Sequence, residues 1–221
     1  MFNTYLSTFY HFLFLIILII CWLFNLPFLI LFLFFSYIGI LLLFRRSSSS
    51  YQEEPAFKRG VLFSPVNGKI TKVTKNTTLD GSEVPHTEVK MIIHPWNETG
   101  IYLPISSEIQ DFFLSGNKGL FRYFKKLPKN LNYKNLDKLS LTLRNVDSDM
   151  IRMDFIRCIL GSLPEIFVMP GDRGKQQANI GHFPLGGTVY LYLPDKYEIL
   201  ITELEQITAG ETLIAGVNPI D

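Results

Sequence analysis

The sequence predicts a mainly β protein: an antiparallel β barrel or sandwich domain preceded by an N-terminal transmembrane helical hairpin. Residues 1 to 44 contain no Asp, Glu, Lys or Arg, so all 21 basic and 20 acidic residues fall in the remainder. Beyond residue 60, short runs of β-branched and aromatic residues alternate with Gly, Pro, Asn and Asp, which is typical of all-β domains. We therefore expect a membrane anchor over 1–46, a linker over 47–58 and one domain over 59–221.

The anchor is the first element in chain order. Tyr5 to Phe44 spans 40 uncharged residues, whereas one helix needs roughly 20 residues to cross a bilayer. Asn25 and Pro27 interrupt the apolar run, and proline suits a turn better than a helix interior. Two transmembrane helices are therefore predicted, with one long tilted helix as the alternative. A basic start and a small-residue cleavage site, the marks of a signal peptide, are not visible.

Orientation follows from Arg45 and Arg46, which come directly after the apolar run. Basic residues that flank a membrane span usually stay in the cytoplasm. The expected location is therefore a membrane, the inner (cytoplasmic) membrane in a bacterium, with the soluble domain on the cytoplasmic side. Ser47 to Ser50 and the polar residues up to Pro55 read as a short linker.

The strands of the domain are predicted from runs separated by turn residues. Glycines at 210 and 216 flank a further short apolar strand near the end of the chain. The predicted runs are Val61–Phe63, Glu88–Ile93, Leu139–Arg144, Met150–Leu160, Glu165–Met169, Thr188–Leu193 and Tyr197–Glu203.

Charge and cysteine content exclude some classes of function. The formal net charge is +1, which argues against nucleic acid as a partner held by bulk charge. Cys21 lies in the apolar segment, so a structural disulfide with Cys158 is not expected. The four histidines are scattered and form no local cluster with the two cysteines, so no metal site is predicted.

One basic and aromatic stretch stands apart. Asn117 to Lys138 contains seven Lys or Arg and one Asp, interleaved with Leu, Phe and Tyr. Such a mixture suits the headgroup layer of an anionic membrane, and a solvated basic loop is the alternative. The candidate lipid-binding residues are Lys118, Arg122, Lys125, Lys126 and Lys129.

Three segments carry the functional signal, although GxSxG, GxxxxGK[ST], GxGxxG and HExxH patterns are lacking. They are Ser-Pro-Val-Asn-Gly-Lys-Ile at 64–70, His-Pro-Trp-Asn at 94–97 followed by Pro104, and Gly-His-Phe-Pro-Leu-Gly-Gly-Thr-Val at 181–189. In this order, behind an apolar N-terminus, the chain resembles the phosphatidylserine decarboxylase family in its short bacterial and archaeal form. The likeness runs over most of residues 40 to 216. The family's corresponding segments are Ser-Pro-Ala-Asp-Gly-Lys-Val, Pro-x-Asn-Val-His-x-Asn-Arg-x-Pro and Gly-x-Phe-x-x-Gly-Ser-Thr-Val.

The resemblance implies a specific chemistry. In that family an inactive precursor cuts itself at Gly-Ser, and the serine becomes a pyruvoyl group that decarboxylates phosphatidylserine to phosphatidylethanolamine. The cut needs an activated hydroxyl and a base oriented by a carboxylate. The family takes these groups from its Ser, His and Asp.

All three matching positions depart from the family pattern. The Asp position is Asn67, the His position is Thr99 and the Ser position is Gly187. Glycine has no hydroxyl, so no ester and no pyruvoyl group can form at Gly187. We therefore expect a membrane-anchored homologue that binds phospholipid or regulates an active relative, with no cofactor and no confidently assigned catalytic residue.

Two alternatives stay open. One is an active decarboxylase with an unusual site, for which His94, His182 and Thr188 are the substitute candidates and a pyruvoyl-type ketone is the cofactor. The other is a structural membrane interaction protein. Membrane phospholipids are the expected partners, and an oligomer or an association with an active relative is left open. His94 and His182 are expected to be structural, and Glu98 is expected to be a solvated charge.

Overall fold

The structure is a computed structural model that describes residues 8–44, 60–78, 85–115, 138–158 and 161–217. The chain divides into two compact units, Met1–Ser50 and Tyr51–Asp221. The first unit contains the helices α1 (Thr8–Leu23) and α2 (Pro27–Leu43). The second contains fourteen strands among its described residues.

The N-terminal unit breaks into two helices where the sequence predicts a turn. Asn25 has a positive φ of 53°, a conformation that asparagine tolerates better than most residues. The Leu26 amide donates to the Cys21 carbonyl at 3.1 Å, and Pro27 begins α2 with a preset φ. The prediction of two helices is confirmed over the alternative of a single long helix.

Both helices are apolar around most of their circumference. His11 Nδ1 hydrogen-bonds the Tyr37 hydroxyl, and the Phe14 ring stacks on Tyr37 with centroids 3.9 Å apart. Large side chains such as Trp22 and Phe28 are 73% and 87% exposed. A helix that is hydrophobic all round normally has lipid or protein around it.

Among the described residues, neither helix combines the length and the apolar character that a membrane crossing requires. The embedding of residues 1 to 44 in a membrane therefore stays a prediction.

The C-terminal unit is built from three antiparallel sheets. The large sheet has the strand order β13-β2-β3-β11-β7-β6-β5-β9, and the two small sheets have the orders β1-β14-β12 and β4-β10-β8. The strands are β1 Val61–Phe63, β2 Gly68–Thr78, β3 Pro85–Ile93, β4 Gly100–Tyr102, β5 Ser107–Ser115, β6 Lys138–Asn145, β7 Met150–Arg157, β8 Glu165–Ile166, β9 Arg173–Gly174, β10 Asn179–His182, β11 Gly187–Pro194, β12 Tyr197–Ile199, β13 Gln206–Ile207 and β14 Leu213–Val217.

The prediction of a mainly β, antiparallel domain is confirmed, but the barrel alternative is wrong. The large sheet ends at β13 on one side and β9 on the other, and each is two residues long. Within the described strands the only partner of β13 is β2 and the only partner of β9 is β5. The sheet therefore stays open, because its two edges do not pair with each other.

One hydrophobic core joins the three sheets. Alternate residues of β11, such as Val189 and Leu191, are fully buried, as the period of two along a strand requires. They share a core cluster with Leu62 of β1, Ile101 of β4 and Ile214 of β14. The small sheets therefore cover one face of the large sheet, in a sandwich-like layering.

The seven predicted strand runs all contain strands. Val61–Phe63 matches β1, and the runs at 139–144 and 188–193 lie within β6 and β11. The runs at 165–169 and 197–203 are longer than the observed β8 and β12. Strands β2 and β5, both long members of the large sheet, were not predicted.

Candidate functional site

The three motif segments meet at one end of the large sheet. In the antiparallel pairing, Lys69 at the start of β2 lies opposite Ile92 near the end of β3. Gly187 at the start of β11 lies opposite Ile93 and, on its other side, Arg157 at the end of β7. We call this end of the sheet, marked by Lys69, Ile93, Gly187 and Arg157, the site end.

A backbone hydrogen bond joins the second and third segments. The Phe183 amide donates to the Thr99 carbonyl at 2.7 Å. The side chain of Asn67 joins the first and second segments, because its Nδ2 donates to the Glu98 carboxylate. The family-equivalent positions therefore lie on segments that are in direct contact, although they are far apart in sequence.

Glu98 is the charged centre of this arrangement. Its side chain is only 7% exposed, so the expectation of a solvated charge is wrong. One carboxylate oxygen accepts from the Gly100 amide at 3.1 Å and from the Tyr102 hydroxyl at 3.2 Å, and the other accepts from Asn67. A buried carboxylate is stable only where donors compensate its lost hydration, and three donors do so here.

Asn67 serves as a cross-link and has no proton to exchange. Its Oδ1 accepts from the Ala209 amide at 3.0 Å while its Nδ2 donates to Glu98. A neutral side-chain amide can donate and accept at once, through its NH2 group and its carbonyl oxygen. The carboxylate of Glu98 thus lies against residue 67, and an aspartate at 67 would place two acids against each other.

Thr99 is buried at the position of the family's histidine. It is 1% exposed, and its Oγ1 has no hydrogen-bond partner. A threonine hydroxyl is no base at neutral pH. The site as observed therefore contains no imidazole at this position to accept a proton from a nucleophile.

Gly187 sits where a side chain has no room. A Cβ added there would lie 2.5 Å from the Ile156 carbonyl oxygen and 2.7 Å from Phe183 Cζ. Real Cβ atoms do not approach backbone oxygens so closely, so the strand packing itself requires glycine. The Gly186 amide donates to the Phe183 carbonyl at 2.9 Å and closes the turn that precedes β11.

Thr188 offers a hydroxyl on the opposite face of the strand. Successive side chains of β11 point to opposite faces, and Thr188 pairs with Ile92 and Ile156. Its hydroxyl therefore does not stand where a hydroxyl on residue 187 would stand. This placement disfavours Thr188 as a simple substitute nucleophile.

His182 is a buried, structural histidine. It is 4% exposed on β10, where it pairs with Gly100 and Glu165. Burial lowers the pKa of the imidazole below its ordinary value, and the charge of Glu165, whose Oε2 lies 3.9 Å from Nδ1, opposes this only in part. The ring is therefore neutral at pH 7.

His94 lies in the turn that follows β3. Its carbonyl accepts from the Asn97 amide at 2.9 Å. Its half-buried ring stacks on Trp96 with centroids 4.7 Å apart and planes 3° from parallel. Trp96 itself is 68% exposed, so the two stacked rings project from the surface beside the site.

A thiol beneath the third segment was not singled out from the sequence as a site residue. Cys158 Sγ lies 3.7 Å from the Leu185 carbonyl oxygen, and Leu185 has a positive φ of 58°. Leucine rarely adopts that conformation, so the turn before Gly186 is held by its surroundings. Cys158 and Cys21 are both free thiols.

The candidate lipid-binding residues Lys118, Arg122, Lys125, Lys126 and Lys129 lie outside the described residues, and their role stays a prediction. Lys138, the last residue of that stretch, begins β6 and pairs with Asp154 at 2.8 Å. Asp154 is 2% exposed and also accepts a hydrogen bond from Arg152 Nε at 2.8 Å. In the described part of the chain, no group of three or more His, Cys, Asp or Glu is placed to hold a metal ion.

Comparison with known proteins adds no relative. No family model matches the chain, and no curated protein matches it. The function must therefore be argued from the site itself.

Proposed function

We propose that the protein is a membrane-anchored, phosphatidylserine decarboxylase-like protein that does not form a pyruvoyl group and binds phospholipid without decarboxylating it. The observation that carries the proposal is Gly187. The three motif segments resembling that family adjoin one another at the site end, and the residue at the nucleophile position is one whose packing forbids any side chain.

The rest of the site supports loss of the chemistry. Self-cleavage needs a hydroxyl, a base and an orienting carboxylate acting as a unit. At these positions the chain has Gly187, Thr99 and Asn67, and the Glu98 carboxylate is already satisfied by three donors. The hydrogen bonds of Asn67 to Glu98 and from Ala209 support a stable site in which an amide takes the place of a catalytic carboxylate.

The membrane part of the proposal rests on the helical hairpin. Its large exposed side chains are apolar, and residues 1 to 44 carry no charged side chain. Transfer of such surface out of water is favourable by about 25 cal/mol per Å². Lipid is the surrounding that accommodates it, and the pair Arg45-Arg46 in the sequence favours the cytoplasmic side for the domain.

Intact-mass spectrometry of the purified full-length chain tests the chemical claim. We expect one uncut species of about 25.5 kDa, and one uncut species for Thr188→Ala that is lighter only by the difference between the two side chains. A natural fragment that begins at Thr188 with a carbonyl-bearing end, lost in Thr188→Ala, would instead establish the active enzyme.

Photocrosslinking tests the binding claim. The chain in mixed vesicles is exposed to phosphatidylserine carrying a diazirine near the headgroup, and crosslinked peptides are mapped. We expect crosslinks in the segments 64–70, 94–104 and 181–189, reduced by unlabelled phosphatidylserine. Crosslinks confined to residues 1–44 would leave only a structural membrane protein.

A further inference from the structure

Exposed apolar side chains line the same end of the large sheet as the candidate site. Six neighbouring strands contribute one residue each to a row of paired residues at this end. In β5 the residue in that row is Ser115, and Leu114 and Phe113 precede it by one and two positions. The residues that pair in succession across that row are Lys69, Ile92, Thr188, Ile156, Lys138 and Ser115. The C-terminal end of β5 therefore belongs to the site end.

Three of the described side chains that are exposed and apolar at this end belong to the turn after β3 and to the end of β5. Trp96 is 68% exposed, Phe113 59% and Leu114 52%. We call these three residues the rim. Trp96 follows β3 and the other two close β5, four strand spacings away, so the rim extends over about 19 Å at about 4.8 Å per strand.

The most exposed residue of the rim, Trp96, is held by local contacts. The turn after β3 is closed by the Asn97 amide on the His94 carbonyl, and the Trp96 ring stacks on His94. A tryptophan fixed in an exposed position is the residue type enriched at the membrane–water interface, where its ring is partly apolar and its N–H stays hydrated.

The segment that joins β5 to β6 has a positively charged sequence, which is complementary to an anionic surface. Residues 116 to 137 connect the end of β5 to the start of β6, and both points lie at the site end. In sequence this connection carries six Lys or Arg and one Asp among Leu, Phe and Tyr. Cations near an anionic bilayer favour binding, and aromatic residues favour its interface.

We propose that the rim docks into the interface of an anionic phospholipid bilayer, so that the site end of the sheet faces the lipid. This rests on the proposed membrane anchoring of the chain, and it adds which surface of the domain meets the membrane. The opposite end of the sheet, where Val146 is 84% exposed in the turn between β6 and β7, then faces away from the lipid.

The two tryptophans allow the anchor and the rim to be tested separately, because the chain contains only Trp22 and Trp96. Trp22→Phe leaves the rim tryptophan and Trp96→Phe leaves the one in α1. Each full-length variant is reconstituted into vesicles of phosphatidylcholine, with or without phosphatidylglycerol, in which the acyl chains are either plain or brominated. Bromine quenches only indoles at the acyl region or its boundary.

We expect Trp96 emission to fall about two-fold with brominated lipid in the anionic vesicles, and far less in vesicles of phosphatidylcholine alone, since the basic residues act through charge. The double variant Phe113→Ser/Leu114→Ser in the Trp96-only chain should reduce the quenching. Val146→Ser, at an apolar residue of the other end that is even more exposed, should leave it unchanged.

Each outcome decides a separate claim. Quenching of Trp22 without quenching of Trp96 overturns the rim docking and retains the anchor. Quenching of neither overturns the membrane anchor and the docking together. Equal quenching of Trp96 in anionic and uncharged vesicles overturns the choice of an anionic surface, and equal effects of the rim and Val146 substitutions overturn the assigned orientation.

Discussion

The contact between Asn67 and Glu98 gives the sharpest test of how the site is built. Asn67→Asp is nearly isosteric, but it places a second carboxylate against Glu98, which is 7% exposed. Two unit charges about 4 Å apart repel by about 4 kcal/mol at an effective dielectric constant of about 20. For a domain of this size, about 4 kcal/mol corresponds to a fall in Tm of about 8–16 °C.

The pH dependence of this loss has a definite sign. The repulsion raises the folded-state pKa of one carboxyl above its unfolded value, so the unfolded chain releases the proton more readily. The deficit is therefore complete only above the raised folded-state pKa, and it shrinks as the pH falls through that pKa towards the unfolded value and one carboxyl becomes protonated. The measurement is thermal melting of the full-length chain in detergent, followed by near-UV circular dichroism at several pH values.

A reversed pair provides the matched control. In Asn67→Asp/Glu98→Gln, the amide of residue 98 can donate to the new carboxylate, which still accepts from the Ala209 amide, while the amide oxygen accepts from Gly100 and Tyr102. These four hydrogen bonds are thus restored with the charge exchanged. We expect Tm to recover to within a few degrees of the unmodified protein. An unchanged Tm for Asn67→Asp at pH 7, or no recovery in the double variant, would refute the reasoning.

Three other substitutions probe separate features. Gly187→Ser should cost about 2–3 kcal/mol by overpacking and should produce no cleavage by intact mass, whereas Gly216→Ser, with its nearest neighbour at 3.7 Å, should melt close to the unmodified protein. His182 has a folded pKa lowered by burial, so its contribution to stability is present above the ordinary histidine pKa and is lost as pH falls below about 6.5. His182→Asn should flatten that slope in urea unfolding measured from pH 7 to pH 5. Asp154→Asn should cost about 3 kcal/mol, because two cations lose a buried partner, whereas Glu108→Gln on the surface should change Tm little; equal effects of the two would contradict the assigned burial.

The part of the fold that could be predicted from sequence is the part with a local signal. Alternation over 188–193 and the β-branched run at 61–63 specify strands by themselves, because side chains on a half-buried strand repeat every two residues. Strand β2 was missed because Lys and Thr dominate it, and its burial alternates only at its first residues. Strand β5 was missed because Glu108 and Asp111 interrupt it, and a bulge lies between Ile109 and Asp111.

The sequence shows which side chains the site lacks. It does not show how the side chains that are present contact one another. Residue 187 is glycine and lacks a hydroxyl whatever the fold, so the sequence alone shows that this position offers no nucleophile. The burial of Glu98 could not, because one of its donors, Asn67, is 31 residues away and nothing local marks them as partners. A glutamate two residues before Gly100, whose amide it accepts, is a weak local sign of a structured loop.

The position of β11 has a consequence for how the chain assembles. It is the central strand that pairs with β3 on one side and β7 on the other, yet it comes after both in sequence. During synthesis the edges of β3 and β7 stay open until residues 187–194 have emerged, and open edges invite pairing with other chains. The turn from Phe183 to Gly186 connects β10 to β11, which then inserts between β3 and β7. Because this turn covalently joins β11 to β10, the strand inserts at the high local concentration that tethering provides.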